Sequence, residues 1–158
     1  MRAMASINRE EGIERAAKLL GGSATFKVKL NTRLEAHELI LSGFPSKALV
    51  SLSENVHIIR HADVFEKALG LSLRTFQRRK KDTMPRKLSQ EQSGRAWKFA
   101  EILGLATEVL GSQHEAEEFL ERPAIGLDQH RPIDLLATPA GIELVETYLG
   151  RMKYGVYA

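Results

Sequence analysis

Apolar residues recur every three or four positions in short blocks, and each block ends at a glycine, a proline or a capping residue. That is the pattern of a chain of short amphipathic helices. Asn8 with Glu11 predicts a helix through Ile13, Ala16, Ala17 and Leu20 that stops at Gly21-Gly22. Thr32 with Glu35 has capping-box spacing for a helix ending at Gly43, and Pro45 suits the start of the next, through Leu49, Val50 and Leu52. Asp63 with Glu66 opens another, with Val64, Phe65, Ala68 and Leu69 inward. Ser89 with Gln92 begins a long helix whose stripe is Ala96, Trp97, Ala100, Leu103, Ala106 and Leu110. Ser112 with Glu115 starts a short acidic one, Pro132 sets up Ile133–Ala137, and Thr138-Pro139 starts a last helix carrying Ile142, Val145, Leu149 and Met152. Between 24 and 30 the period changes: Phe26, Val28 and Leu30 alternate with Thr25, Lys27 and Lys29, the spacing of one short extended strand.

The expected fold class is therefore all-α in the main, with room for that single N-terminal strand. A soft boundary falls between residues 82 and 89. It separates residues 1–88 from a C-terminal part, 89–158.

The middle of the chain contains the sharpest motif. In Gly70-Leu71-Ser72-Leu73-Arg74-Thr75-Phe76-Gln77-Arg78-Arg79-Lys80-Lys81, Gly70 suits a left-handed helix end and Ser72 suits a cap for the next helix. Leu73 and Phe76 lie on one face, whereas Arg74, Gln77, Arg78 and Lys81 point elsewhere. With the helix upstream, this is how a helix-turn-helix presents its second helix to a DNA groove. Ser72, Arg74 and Thr75 would lie nearest the groove floor, with Gln77 and Arg78 one turn on. Arg and Gln bond base edges in pairs, while Arg79, Lys80 and Lys81 suit phosphates. Such motifs commonly place a small residue midway along the first helix; here that position is Glu66, so its side chain must turn outward or the helices must cross loosely. One motif per chain implies a homodimer on a two-part operator.

Charge sharpens the division. The net charge of +3 conceals +7 over residues 74–100 and −8 over 101–146. A polyanion would meet the middle of the chain and be repelled by the acidic stretch, so two surfaces with two partners is the simplest reading. The chain has 158 residues, 43% of them hydrophobic, enough for a core without staples. It has no cysteine, which excludes disulfides, thiolate nucleophiles and cysteine-ligated zinc. There is no transmembrane run and no signal-peptide core at the N-terminus, so the expected location is cytoplasmic.

Catalytic and metal chemistry find little support. His57 and His61 are four apart, but Ile58 follows His57 where a zinc peptidase helix has glutamate. No Gly-x-Ser-x-Gly elbow, phosphate loop or Gly-x-Gly-x-x-Gly is present. The expectation is no enzyme, no metal and no cofactor. Trp97 reads as core. Arg131-Pro132-Ile133-Asp134 reads as a brace, with Asp134 at a helix start or paired with an arginine. The C-terminal Tyr154-Gly155-Val156-Tyr157-Ala158 has two aromatics and a glycine after the last helix, residues that gain by burial in a partner.

These blocks also form a family pattern. Gly70-Leu71-Ser72-x-Arg74-Thr75-x-x-Arg78-Arg79, Leu88-Ser89-x-Glu91-x-Ser93-x-Arg95, Arg131-Pro132-x-Asp134-Leu135-Leu136, and Gly141 before Tyr154-Gly155-Val156 resemble the Xre/MbcA/ParS-type antitoxins of type II toxin-antitoxin systems. The resemblance runs from about Leu39 onward, which implies a variable N-terminal segment, 1–38, before the parts 39–88 and 89–158. It implies a helix-turn-helix (Xre-like) domain followed by a C-terminal helical toxin-binding domain, and a co-encoded RES-domain toxin that depletes NAD⁺. It further implies that the C-terminal segment enters the toxin's cleft and that the antitoxin acts as repressor of its own promoter. Carried onto this chain, the toxin-facing residues are Arg151, Lys153, Tyr154, Gly155, Val156, Tyr157 and Ala158. A tyrosine ring filling a ring slot and a carboxylate meeting phosphate-gripping cations would exclude NAD⁺ sterically. Two other readings remain open from the residues: a stand-alone transcription regulator, and an antitoxin whose motif has lost DNA contact.

Overall fold

The computed structural model describes residues 2–81 and 86–155. Its helices, in chain order, are α1 (Arg2–Leu19), α2 (Gly22–Phe26), α3 (Arg33–Ser42), α4 (Lys47–Asn55), α5 (Ala62–Leu69), α6 (Leu73–Lys80), α7 (Gln90–Leu110), α8 (Gln113–Glu121) and α9 (Pro139–Tyr154). Short 3-10 turns span Ile58–Arg60, Ile125–Leu127 and Pro132–Leu135.

Five of the expected caps form with their expected partners, but Asp63 does not open its helix: α5 starts at Ala62 with no side-chain cap, and Asp63 lies inside its first turn. Thr32, Ser72, Ser89, Ser112 and Thr138 each accept a bond from the backbone N–H three residues on. At Ser89 the box is complete, since the Gln92 side chain also accepts from the Ser89 N–H at 3.2 Å. α1 starts earlier than the Asn8 signal implies, at Arg2. Nothing between Arg2 and Ile7 breaks a helix, so a capping pattern met in mid-helix does not act as a start.

α7 is the central post. Ala96, Trp97, Phe99, Ala100, Ile102, Leu103, Gly104 and Ala106 are all buried, so apolar residues occupy most of its circumference. It packs against α1, α3, α5, α8 and α9, which explains that all-round burial. Trp97 is core, as its setting in the stripe predicts, and meets Phe44 edge-on at 6.5 Å. Two buried polar side chains are satisfied across elements. Ser93 accepts from the Phe44 N–H at 2.8 Å. Glu117 accepts from the Ile58 N–H at 2.9 Å and from Gln113 at 3.1 Å. One core joins residues of α1 to residues of α9.

The N-terminal strand is a correction. Among the described residues there are only isolated bridges, Pro45 with Lys87 and Ala124 with His130. Residues 22–26 are helical, and Lys27 takes a left-handed conformation (φ 61°) that ends α2. Thr25 and Phe26 are consecutive and both buried, and residues 27–29 are all exposed, so burial does not alternate as it would along a strand with one buried face. With no neighbouring strand to pair with, an extended segment there would leave its backbone groups unmatched, and a helical turn satisfies them internally.

Candidate functional site

α5 and α6 form the turn motif. Gly70 ends α5 at φ 67°, its N–H returning to the Glu66 carbonyl. The left-handed backbone is what calls for glycine there; packing adds less, because the nearest atom is the movable end of a side chain. A Cβ on Gly70 would lie 2.4 Å from Nη1 of Arg95, which reaches up from α7 and donates to the Lys67 carbonyl. That guanidinium sits at the negative end of α5. Phe76 of α6 stacks on Phe65 of α5 with centroids 5.2 Å apart. Glu66 is exposed, so the unusual residue at the mid-helix position turns outward and the aromatic pair makes the crossing.

The seven residues predicted to meet DNA divide into two groups. Arg74, Gln77, Arg78 and Lys81 are exposed and lie at helical spacing on one face. Ser72 and Thr75 are half-buried and engaged with each other: Ser72 accepts from the Thr75 N–H at 3.1 Å and donates to Oγ1 of Thr75 at 2.7 Å. Arg79 is half-buried and lines a groove with Phe26, Leu49, Val50 and Leu88, away from that face. Arg78, Arg79 and Lys80 occupy the last turn of α6, where cations also favour the helix dipole.

A charged bracket ties this motif to the 3-10 turn at 132–135. Asp134 accepts from Nε and Nη2 of Arg131, both at 2.9 Å, and from Nζ of Lys67 on α5. Arg131 also donates to Asp63 at 3.3 Å. The Arg131 guanidinium holds the Asp134 carboxyl down to about 2, with Lys67 adding to the effect. Asp63 is lowered too, chiefly by Arg131, and Arg131 is raised by the same pairing, Asp134 first. The expected brace is thus a four-residue network linking the α5–α6 motif to the C-terminal region.

In that region Thr138 caps α9 by accepting from the Gly141 N–H at 3.1 Å. Gly141 is needed because a Cβ would sit 2.0 Å from the Leu135 carbonyl oxygen. Lys98 of α7 reaches Glu146 of α9 at 3.1 Å and Glu101 at 3.4 Å. Burial opposes its charge, yet the two carboxylates together lift it above the ordinary lysine value. Of the residues predicted to meet a protein partner, Arg151 is exposed and lines a small groove with Glu143, Leu144 and Tyr148. Lys153 pairs with Glu108 at 3.1 Å, and its ammonium lies 5.8 Å from the Tyr154 ring centre. Tyr154 is 74% exposed, and Gly155 closes α9 at φ 65°. Val156, Tyr157 and Ala158 lie outside the described residues. Sequence patterning singled out neither Arg95 as a clamp nor Ile125 as an exposed apolar residue. Only the glycine-arginine register and the crowded turn 124–130 could have signalled them.

A capped basic helix held against its neighbour by stacked aromatics, bracketed to an acidic helical region, defines a helix-turn-helix protein with a second binding region. Two comparisons make this specific. Residues 35–101 match the antitoxin Xre-like helix-turn-helix domain, and residues 105–155 match the antitoxin Xre/MbcA/ParS C-terminal toxin-binding domain. The two matches lie almost end to end and place the chain among the antitoxins of this family. No curated protein matches the chain. Among the described residues, no helix is long and apolar enough to cross a membrane.

Proposed function

We propose that this protein neutralises a co-encoded RES-type toxin, which consumes NAD⁺, and represses its own promoter as a homodimer. In this reading residues 39–88 read DNA and residues 89–158 meet the toxin. Arg74, Gln77 and Arg78 face the bases and Lys81 a phosphate, while Ser72 and Thr75 fix the start of the helix. Arg79 acts from the flank. The end of α9 delivers the C-terminal segment to the toxin's cleft: Lys153 is steadied by Glu108, Tyr154 stands in water beside it, and Gly155 lets the chain turn. Inhibition is exclusion of NAD⁺, with no reaction on the antitoxin.

The observation that carries this reading is the pairing of the two family matches on one chain, with an exposed cationic helix face in the first and an exposed aromatic at the end of the second. The test is NAD⁺ consumption by the protein of the adjacent gene, titrated with the full chain and with a chain lacking Tyr154–Ala158. The full chain should abolish consumption at stoichiometric amounts, and the shortened chain should leave it nearly intact. Full inhibition by the shortened chain would refute the cleft-blocking step. The stand-alone regulator reading predicts no effect from either.

A further inference from the structure

Of the large apolar side chains exposed among the described residues, Val28, Leu34 and Leu41 lie in the first part of the chain, and Ile125, Leu144 and Tyr154 lie within the stretch matched to a toxin-binding domain. Ile125 is 84% exposed and Leu144 56%. Ile125 is not on a loose loop. The Ala124 N–H donates to the His130 carbonyl at 3.1 Å, and the Ala124 carbonyl accepts from both Leu127 and Gln129 at 3.0 and 2.9 Å. The Ile125 carbonyl accepts from the Asp128 N–H at 3.2 Å. Closing this loop requires left-handed conformations at Asp128 (φ 51°) and Gln129 (φ 64°), which non-glycine residues adopt at a cost.

The loop is also pinned from beneath. Gly126 lies so close to Tyr148 that a Cβ would be 2.2 Å from its Cε2, and Tyr148 stacks on Phe119 at 5.9 Å, nearly parallel. Ile125 thus stands out in water on a loop whose backbone is fixed by hydrogen bonds. A rigid apolar projection of this kind anchors a partner cheaply, because little freedom remains to be lost on binding. Beside it lies a groove of about 340 Å³ lined by Gly126, Leu127, Leu144, Tyr148, Glu143 and Arg151, whereas Tyr154 lines a separate groove with residues of α1, α3 and α7.

We propose that the Ile125–Leu144 face is the surface on which the toxin docks, and that it supplies affinity separately from the C-terminal segment that blocks the cleft. This rests on the reading above that the partner is the co-encoded toxin. The occupant is a toxin surface with an apolar socket for Ile125, a basic group facing Glu143 and an acidic group facing Arg151. The placement of this face inside the toxin-binding match selects that occupant over a second copy of the chain.

The experiment is a binding titration of the adjacent gene's protein with four chains: wild type, Ile125→Asp, Leu144→Ala, and the chain lacking Tyr154–Ala158. Both substituted side chains are largely in solvent, so the variants should fold and melt as wild type does. Ile125→Asp should weaken binding by at least about tenfold and Leu144→Ala several-fold. The shortened chain should still bind, losing less affinity than Ile125→Asp does, while losing inhibition. Wild-type affinity in Ile125→Asp would overturn the proposal. So would a change in self-association, measured by sedimentation, with toxin binding intact; that result would assign the face to a second copy. A wild-type chain that does not bind that protein removes the underlying reading, and this assignment with it.

Discussion

Replacing Asp134 with asparagine removes the negative charge, and one of the two acceptor oxygens, that join Arg131 to Lys67, and the cost follows from the geometry. Asp134 accepts two guanidinium bonds at 2.9 Å and one from the Lys67 ammonium. Lowering its pKa from 3.8 to about 2 would, taken at face value, correspond to roughly 2–2.5 kcal/mol. The carboxylate is 30% exposed and Lys67 42%, so water screens part of this. A discounted value of about 1–2 kcal/mol is expected. For a chain of this size that is a fall in Tm of about 2–8 °C at pH 7. The sign with pH follows from the lowered value. The folded state binds the proton more weakly than the unfolded chain, so the contribution is complete above about pH 4 and vanishes as pH falls through about 2. Thermal melts of wild type and Asp134→Asn from pH 7 to pH 2 should therefore converge at the acid end. Melting curves that coincide at pH 7, or that stay equally separated at pH 2, would refute the bracket as a source of stability.

Three further outcomes follow from the same structure. Ser89→Ala removes the α7 capping box and should cost about 1 kcal/mol by denaturant titration, with Ser89→Asp retaining most of it. Gly70→Ala places a Cβ 2.4 Å from the Arg95 guanidinium at a left-handed position, so it should destabilise by roughly 1–3 kcal/mol and weaken DNA binding more than toxin binding. Lys81→Ala should lower the slope of log affinity against log salt for promoter DNA by about 1, whereas Arg74→Ala should relax sequence preference.

What could be read from the chain alone was whatever depends on neighbours in sequence. Caps at Thr32, Ser72, Ser89, Ser112 and Thr138 are decided within four residues, and the stripe of α7 by its period, so both were legible. The alternation at 24–30 was misleading because a strand needs a partner elsewhere, and none lies beside it among the described residues. Asp134 announced a pair but not its second cation, because Lys67 is 67 residues away. The clamp of Arg95 beneath Gly70 and the strained loop that exposes Ile125 are likewise products of tertiary packing. Of the candidate DNA face, Arg74, Gln77, Arg78 and Lys81 followed from helical phase; that Ser72 and Thr75 would occupy each other did not.

The central claim is that one folded chain carries two separable surfaces, one for DNA on α6 and one for the toxin at Ile125, Leu144 and the end of α9. Its most direct test is a matched pair of titrations, against promoter DNA and against the adjacent gene's protein, on Arg78→Ala and Ile125→Asp. A crossed pattern is expected: Arg78→Ala loses DNA and keeps the toxin, while Ile125→Asp keeps DNA and loses the toxin. If either folded variant loses both partners, or if neither variant loses any, the two-surface account is contradicted.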